Sequence, residues 1–142
     1  MIQYDRTKVV INLDNIRYNV NELKKKVDRS SKVMFVIKAD GYGHGAVQIM
    51  KYLGDSVDAY GVAVINEAVA LRENGCGKLI LILGYTTKSC LEYVVKYDIS
   101  QTVTDYDTAR LLSEEAVRQG VYSNIHIKLY TGIGIIGFLP CD

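Results

Sequence analysis

The feature that most limits how this chain can fold is a repeated alternation of short apolar runs with segments of helical spacing. The runs are VMFVI at 33–37, Tyr60 to Val64, Leu79 to Leu83, Ser100 to Val103 and Asn124 to Leu129. Runs this short are predicted to be strands, and the most continuously apolar of them to be buried on both faces. Between them lie apolar positions at steps of three and four, which is one face of a helix. These include Ala46, Val47, Ile49, Met50 and Leu53; Glu67 to Asn74, with Asn66 as expected N-cap and Gly75 as stop; and a helix near Ser89 to Lys96. The last is Tyr106 to Gln119, with Ala109, Leu112, Ala116 and Val117 expected inward and Gly120 at C′.

Before the first strand, Leu13, Ile16, Val20, Leu23 and Val27 predict an opening helix capped by Asn12, with Lys24, Lys25 and Lys26 on a solvated face. About five strands interleaved with helices imply parallel pairing through right-handed crossovers, an α/β fold. An open doubly wound sheet is complete with such a count, whereas an eight-unit barrel takes about 250 residues. Periodicity does not choose between them.

At 142 residues, 49% hydrophobic and 23% charged, the chain can bury the core of one domain, or form part of one. No Pro- or Ser-rich linker divides it, and its single proline is Pro140. A net charge of +1 gives no field for nucleic acid or an anionic membrane, so neither is expected as a partner. No apolar run approaches the roughly 18–20 residues of a membrane span, and MIQYDRTKVVINL lacks the pattern of a cleaved leader, so a cytoplasmic protein is expected. Cys76, Cys90 and Cys141 suit neither a disulfide framework nor a metal site; we read them as free thiols, two of them packing residues.

Chemistry concentrates where the first run ends. Lys38 follows the strand directly, at the end where α/β folds of both architectures place their active sites. An amine partly withdrawn from water is neutral more readily, and a neutral amine condenses with an aldehyde such as pyridoxal phosphate. Gly41, Gly43 and Gly45 would let backbone approach a ligand, and Tyr42 offers a hydroxyl to a phosphate oxygen. The plainer alternative is a lysine that leaves the sheet for water beside a tight glycine turn, and spacing alone favours it.

The loop lacks the terminal Gly-Lys-Ser/Thr of a nucleotide phosphate loop. Gly132, Gly134 and Gly137 match G-x-G-x-x-G after a predicted strand, but a dinucleotide site also needs a following helix and an acidic residue about 20 positions on. That cluster is read as a decoy. His44 and His126 have no ligand partners at useful spacing and are assigned to a turn and a strand.

VIKADGYGHG at 36–45 resembles the cofactor-lysine motif of the pyridoxal-phosphate-dependent alanine racemases. INLDNIRYN resembles that family's opening helix, GVAVINEAVALRENG its second strand and helix, ILILGYT its third strand, and IHIKLYTGIGIIGF its fifth strand and following loop. The resemblance implies that residues 1–142 are a partial N-terminal domain, the first part of a TIM-type (β/α)8 barrel, with the family's C-terminal β domain absent. It also implies interconversion of L- and D-alanine on pyridoxal 5′-phosphate. Lys38 would be the Schiff-base lysine and a base on one face of the substrate's α-carbon, Tyr42 would bond the cofactor phosphate, and Lys128 would be a carbamylation candidate that orients an arginine.

The sequence departs from that pattern at the arginine itself, which is Ile135 here, and at an aspartate, which is Tyr130. An apolar side chain cannot make the charge-assisted hydrogen bond the arginine gives the cofactor. The family's base for the opposite face would lie beyond Asp142, so the chain alone is expected to racemise weakly or not at all. The alternatives are a non-catalytic pyridoxal-phosphate-binding module, a decayed structural remnant, or a relative acting on serine. Open sheet edges predict self-association, as a dimer or higher.

Overall fold

The computed structural model describes residues 7–139. Helix α1 (Leu13–Lys24) precedes strand β1 (Met34–Val36), a single turn at Lys38–Gly43, and helix α2 (Ala46–Leu53). Then follow β2 (Ala59–Val62), α3 (Ile65–Glu73), β3 (Leu79–Ile82), α4 (Leu91–Lys96), β4 (Ser100–Val103), α5 (Tyr106–Gln119) and β5 (Ile125–Ile127). The strands form one sheet in the order β1-β2-β3-β4-β5, every neighbouring pair parallel. Strand existence and parallel direction match the expectation, with bounds moved by up to two residues.

The two faces of the sheet decide between open sheet and barrel. Val33, Phe35, Ile37, Tyr60, Val62, Ile80, Ile82 and Val103 alternate onto one face and join a single core with Val20, Ile49, Leu71, Val94 and Leu112 from the five helices. The other face carries Met34, Val36, Gly61 and Leu83, which meet one another: a Cβ on Gly61 would stand 3.2 Å from Val36 Cγ2, 3.3 Å from Leu83 Cδ1 and 3.4 Å from Met34 Sδ. Helices gathered on one face are the wall of a barrel, whereas a doubly wound sheet is covered on both.

Three packing expectations are corrected. Helix α1 ends at Lys24, short of Val27, and Leu23 and Val27 are exposed. This helix leans on α2, where the Arg17 guanidinium lies 3.9 Å from the Tyr52 ring centroid and the Tyr52 hydroxyl donates to Asp14; only Val20 is fully inserted. Val117, placed inward by its spacing, is 79% exposed, because the buried stripe of α5 runs through Thr108, Leu112 and Ala116 and leaves Val117 beside it. Helix α3 starts at Ile65 with Val64 as N-cap, ahead of Asn66. Glu67 moves that boundary by reaching back to the N–H groups of Ala63 at 2.7 Å and Val64 at 3.4 Å.

At the opposite end of the sheet Arg72 draws four carbonyls together. Its Nε donates to Tyr97 O at 2.9 Å, its Nη1 to Cys76 O and Lys78 O at 2.6 Å each, and its Nη2 to Asp98 O at 2.7 Å. The planar fork matches that geometry, and it locks the turns into β3 and β4. Cys76 is buried and Cys90 half-buried, both as free thiols; Cys141 lies outside the described residues, as do Pro140 and Asp142.

Candidate active site

Lys38 stands one residue past the buried Ile37, at the position that continues the Met34–Val36 face at the C-terminal end of β1. The glycine-rich stretch after it is not the irregular loop expected. Ala39, Asp40, Gly41 and Tyr42 all lie in the left-handed region, with φ of 51°, 52°, 63° and 56°, and make one turn of left-handed helix. Three of the four are not glycine, and each such residue costs roughly 1–2 kcal/mol. Strain of this kind persists only where its surroundings dictate it.

The surroundings here are specific. Gly41 N–H donates to Ile37 O at 2.8 Å and Gly45 N–H to Asp40 O at 2.9 Å. The Asp40 carboxylate accepts from Ala46 N–H at 2.8 Å, which caps α2, and Ala39 N–H donates to Glu67 Oε1 at 2.6 Å. His44 Nδ1 lies 3.0 Å from Gly41 O and 3.1 Å from Tyr42 O. Both partners are acceptors, so Nδ1 is the donating nitrogen. His44 therefore has the turn role expected of it. Gly41 is required for space as well as handedness, since a Cβ there would meet Ile49 Cδ1 at 3.0 Å.

The turn brings Lys38 and Tyr42 together, Nζ lying 6.0 Å from the ring centroid, and leaves Tyr42 60% exposed. An amine and a phenol on a strained, firmly held backbone at a strand's C-terminal end can bind an anionic ligand and attack a carbonyl carbon. An apolar groove of about 420 Å³ flanks the same turn, lined by Ile16, Val20, Phe35, Val36, Tyr42 and Ile49 among others. Lys38 is absent from its lining, so the groove belongs to the flank of β1 rather than to the lysine.

Lys128 is not brought beside Lys38. It follows β5 at the other edge of the sheet, on the face of His126, which is the register partner of Thr102. Its N–H donates to Val103 O at 2.9 Å and its carbonyl accepts from Phe138 N–H at 2.9 Å. A second bond, Tyr130 N–H to Phe138 O at 2.7 Å, folds residues 131–137 into a closed loop. Gly137 makes that closure possible, because a Cβ there would lie 2.8 Å from Tyr130 N. No helix follows the Gly132–Gly134–Gly137 cluster among the described residues, and Ile135 is an exposed apolar side chain on this loop.

Glu67 and Asp40 were not singled out from sequence. Glu67 carried a readable signal as the third residue of a helix entered directly from a strand. Asp40 carried none, because its role depends on the left-handed turn. Among the described residues no group of three or more His, Cys, Asp or Glu is arranged to hold a metal ion, and no helix is long and apolar enough to cross a membrane.

A parallel (β/α) half-barrel with a lysine held on a left-handed turn at the end of its first strand defines the class of protein. Residues 11–142 match the family described as alanine racemase, N-terminal domain. The chain is 44% identical over 137 residues to alanine racemase 1 of Caldanaerobacter subterraneus, covering 96% of this chain and 35% of that protein. It is 46% identical over 133 residues to alanine racemase 1 of Clostridium acetobutylicum, covering 93% and 34%. The solved alanine racemase of Clostridium difficile superposes with a TM-score of 0.89 at 40% identity, over 93% of this chain and 35% of that one. This chain belongs to the alanine racemase family, and it spans about a third of the length of the curated relatives it matches.

Proposed function

We propose that this chain is the cofactor-lysine portion of an alanine racemase, in which Lys38 holds pyridoxal 5′-phosphate covalently and Tyr42 binds its phosphate. The observation that carries the reading is the left-handed turn, which fixes the backbone around Lys38 at a strand end and sets Tyr42 beside it. The donor set suits an aldehyde-bearing phosphate: a primary amine on Lys38 and the exposed phenolic hydroxyl of Tyr42. When bound, the cofactor supplies an electron sink for the substrate's α-carbon. Lys38 would accept or return a proton at that carbon on one face, and the substrate would be a small amino acid, alanine ahead of serine.

Racemisation takes a proton acceptor and a donor on opposite faces, and Lys38 is one of the pair. These residues are therefore read as a partial N-terminal barrel domain that supplies one of the two proton-transfer groups. Free Cys76 and Cys90 accord with a reducing, cytoplasmic compartment.

Ile135 favours a second reading, a non-catalytic cofactor-binding module. An exposed isoleucine supplies no donor to a cofactor oxygen, and Lys128, carbamylated or not, has no arginine there to orient. Adding pyridoxal phosphate to the purified chain tests both readings, through a visible absorbance band that is absent in Lys38→Ala. Deuterium exchange at the α-carbon of alanine in heavy water then separates a half-site from a binding module. Absence of the band in the unaltered chain overturns both.

The chain is also proposed to self-associate. Ile125 and Ile127 lie on the sheet face that elsewhere packs helices, yet both are exposed, and Val117 and Tyr122 extend that apolar surface.

A further inference from the structure

Glu67 spends its two carboxylate oxygens on two different segments. Oε2 accepts from Ala63 N–H at 2.7 Å and Val64 N–H at 3.4 Å, the ordinary work of an acidic residue in the first turn of a helix. Oε1 crosses to the turn after β1 and accepts from Ala39 N–H at 2.6 Å, 28 residues away in the chain. Ala39 directly follows Lys38 and opens the left-handed turn, so its amide has no partner within that turn, as at the start of any helix. The carboxylate is carried by a rigid element, because Ala68 and Leu71 of α3 are fully buried in the core.

We propose that Glu67 is a positioning residue for Lys38. Resting on the reading of Lys38 as the cofactor lysine, the proposal assigns to Glu67 the holding of the left-handed turn against α3. The backbone beneath the lysine is thereby fixed before any ligand arrives. A lysine on a turn that relaxes to right-handed geometry would point its amine elsewhere, and part of the binding free energy would go to restoring the turn. Glutamine at this position keeps one acceptor oxygen and sets its NH₂ group against either the Ala39 N–H or the Ala63 and Val64 N–H groups, so the side chain no longer ties the two segments together and volume changes little.

The test compares Glu67→Gln with Asp105→Ala, which removes the side-chain cap of α5, a remote helix. Each variant and the unaltered chain are titrated with pyridoxal phosphate below their melting temperatures. The visible band, its dissociation constant and borohydride trapping on Lys38 are recorded. Glu67→Gln is expected to weaken binding about tenfold or more, the effect of losing one charge-assisted hydrogen bond, and to shift the band. Asp105→Ala is expected to lose stability while binding within about twofold of the unaltered chain, as independent sites do.

If Glu67→Gln binds within that range with an unshifted band, the proposal falls while the reading of Lys38 stands. If the unaltered chain traps no cofactor on Lys38, that reading falls first and takes the proposal with it. Should Glu67→Gln not fold, hydrogen exchange of the Ala39 amide in the unaltered chain decides the matter. Slow exchange there, quickened about tenfold in Glu67→Asp, supports the role, and exchange at the rate of an unprotected amide overturns it.

Discussion

Thr86 donates its hydroxyl to Gln101 Oε1 at 2.6 Å, and both side chains are buried. Gln101 is the register partner of Ile82, so it stands on the helix-packed face of the sheet as the polar member of an apolar layer. Its Nε2 donates to Gly84 O at 2.9 Å and Thr102 O at 2.8 Å, so both ends of the amide are satisfied. The pair pins the turn after β3 to β4.

Thr86→Val keeps the shape and strands the Gln101 carbonyl, so it is expected to cost about 1–3 kcal/mol in urea unfolding. Adding Gln101→Met, which removes the orphaned acceptor, is expected to recover part of that loss. A double variant no more stable than the single one would show that the amide's bonds to Gly84 and Thr102 carry most of its value.

Handedness gives a pair of predictions with opposite signs. Ala39→Gly relieves a left-handed residue at φ 51°, and its effect is expected to lie near zero or on the stabilising side, because the relief is offset by roughly 0.5–1 kcal/mol of lost backbone freedom. Gly41→Ala imposes a left-handed alanine at φ 63° and sets a Cβ 3.0 Å from Ile49 Cδ1. It is expected to cost about 2 kcal/mol and to abolish cofactor trapping. Equal melting temperatures for the two variants would contradict the left-handed turn.

Acid should loosen α5 first at its cap. The backbone N–H of Thr108 at 2.8 Å holds the Asp105 carboxyl below its ordinary value of 3.8, with the Thr108 and Thr104 hydroxyls and the charge of Lys88 acting in the same direction against partial burial. A carboxyl whose folded pKa is depressed binds its proton more weakly folded than unfolded. Its stabilisation is complete above 3.8 and is lost as pH falls below that value through the folded one. Asp105→Asn caps without titrating, so its melting temperature should fall less between pH 5 and about 3 than that of the unaltered chain. Parallel acid limbs for the two proteins would remove Asp105 from the account.

Self-association should run through the outer face of β5. Ile127 is 66% exposed, and Ile127→Lys sets a charge on that strand, the usual guard of an open edge. Sedimentation is expected to show mass rising with concentration for the unaltered chain and a monomer for Ile127→Lys. A concentration-independent monomer with sharp cooperative melting in the unaltered chain would end this reading.

Strand existence and parallel direction were legible because VMFVI and LILIL are short apolar runs separated by helical spacing, and that alternation leaves few topologies open. Sequence periodicity could not choose between barrel wall and open sheet. The choice rests on whether Phe35, Tyr60 and Ile80 share one helix layer, which is a property of assembled faces. The placement of Lys38 directly after a strand, with Tyr42 on the glycine-rich stretch beyond it, was legible in VMFVIKADGYGHG. The left-handed turn between them was not, because Ala39 disfavours that region and Asp40 enters it ordinarily as a single residue; both are held there by Glu67, Asp40's bond to Ala46, and Ile37. Val117 misled because helical spacing reports a face without reporting how wide a stripe of it is buried.

Strand order equals chain order throughout this sheet, and each crossover carries one right-handed α-helix. A chain emerging from the ribosome can therefore add one strand at a time, each docking on a neighbour already synthesised, with no strand held back for a distant partner. Only β1 enters with no earlier strand among the described residues to receive it. The segment bearing Lys38 must then wait for β2 and for Glu67 before its turn is secured. Its geometry is an early commitment of the nascent chain, completed once about half of the described residues have been made.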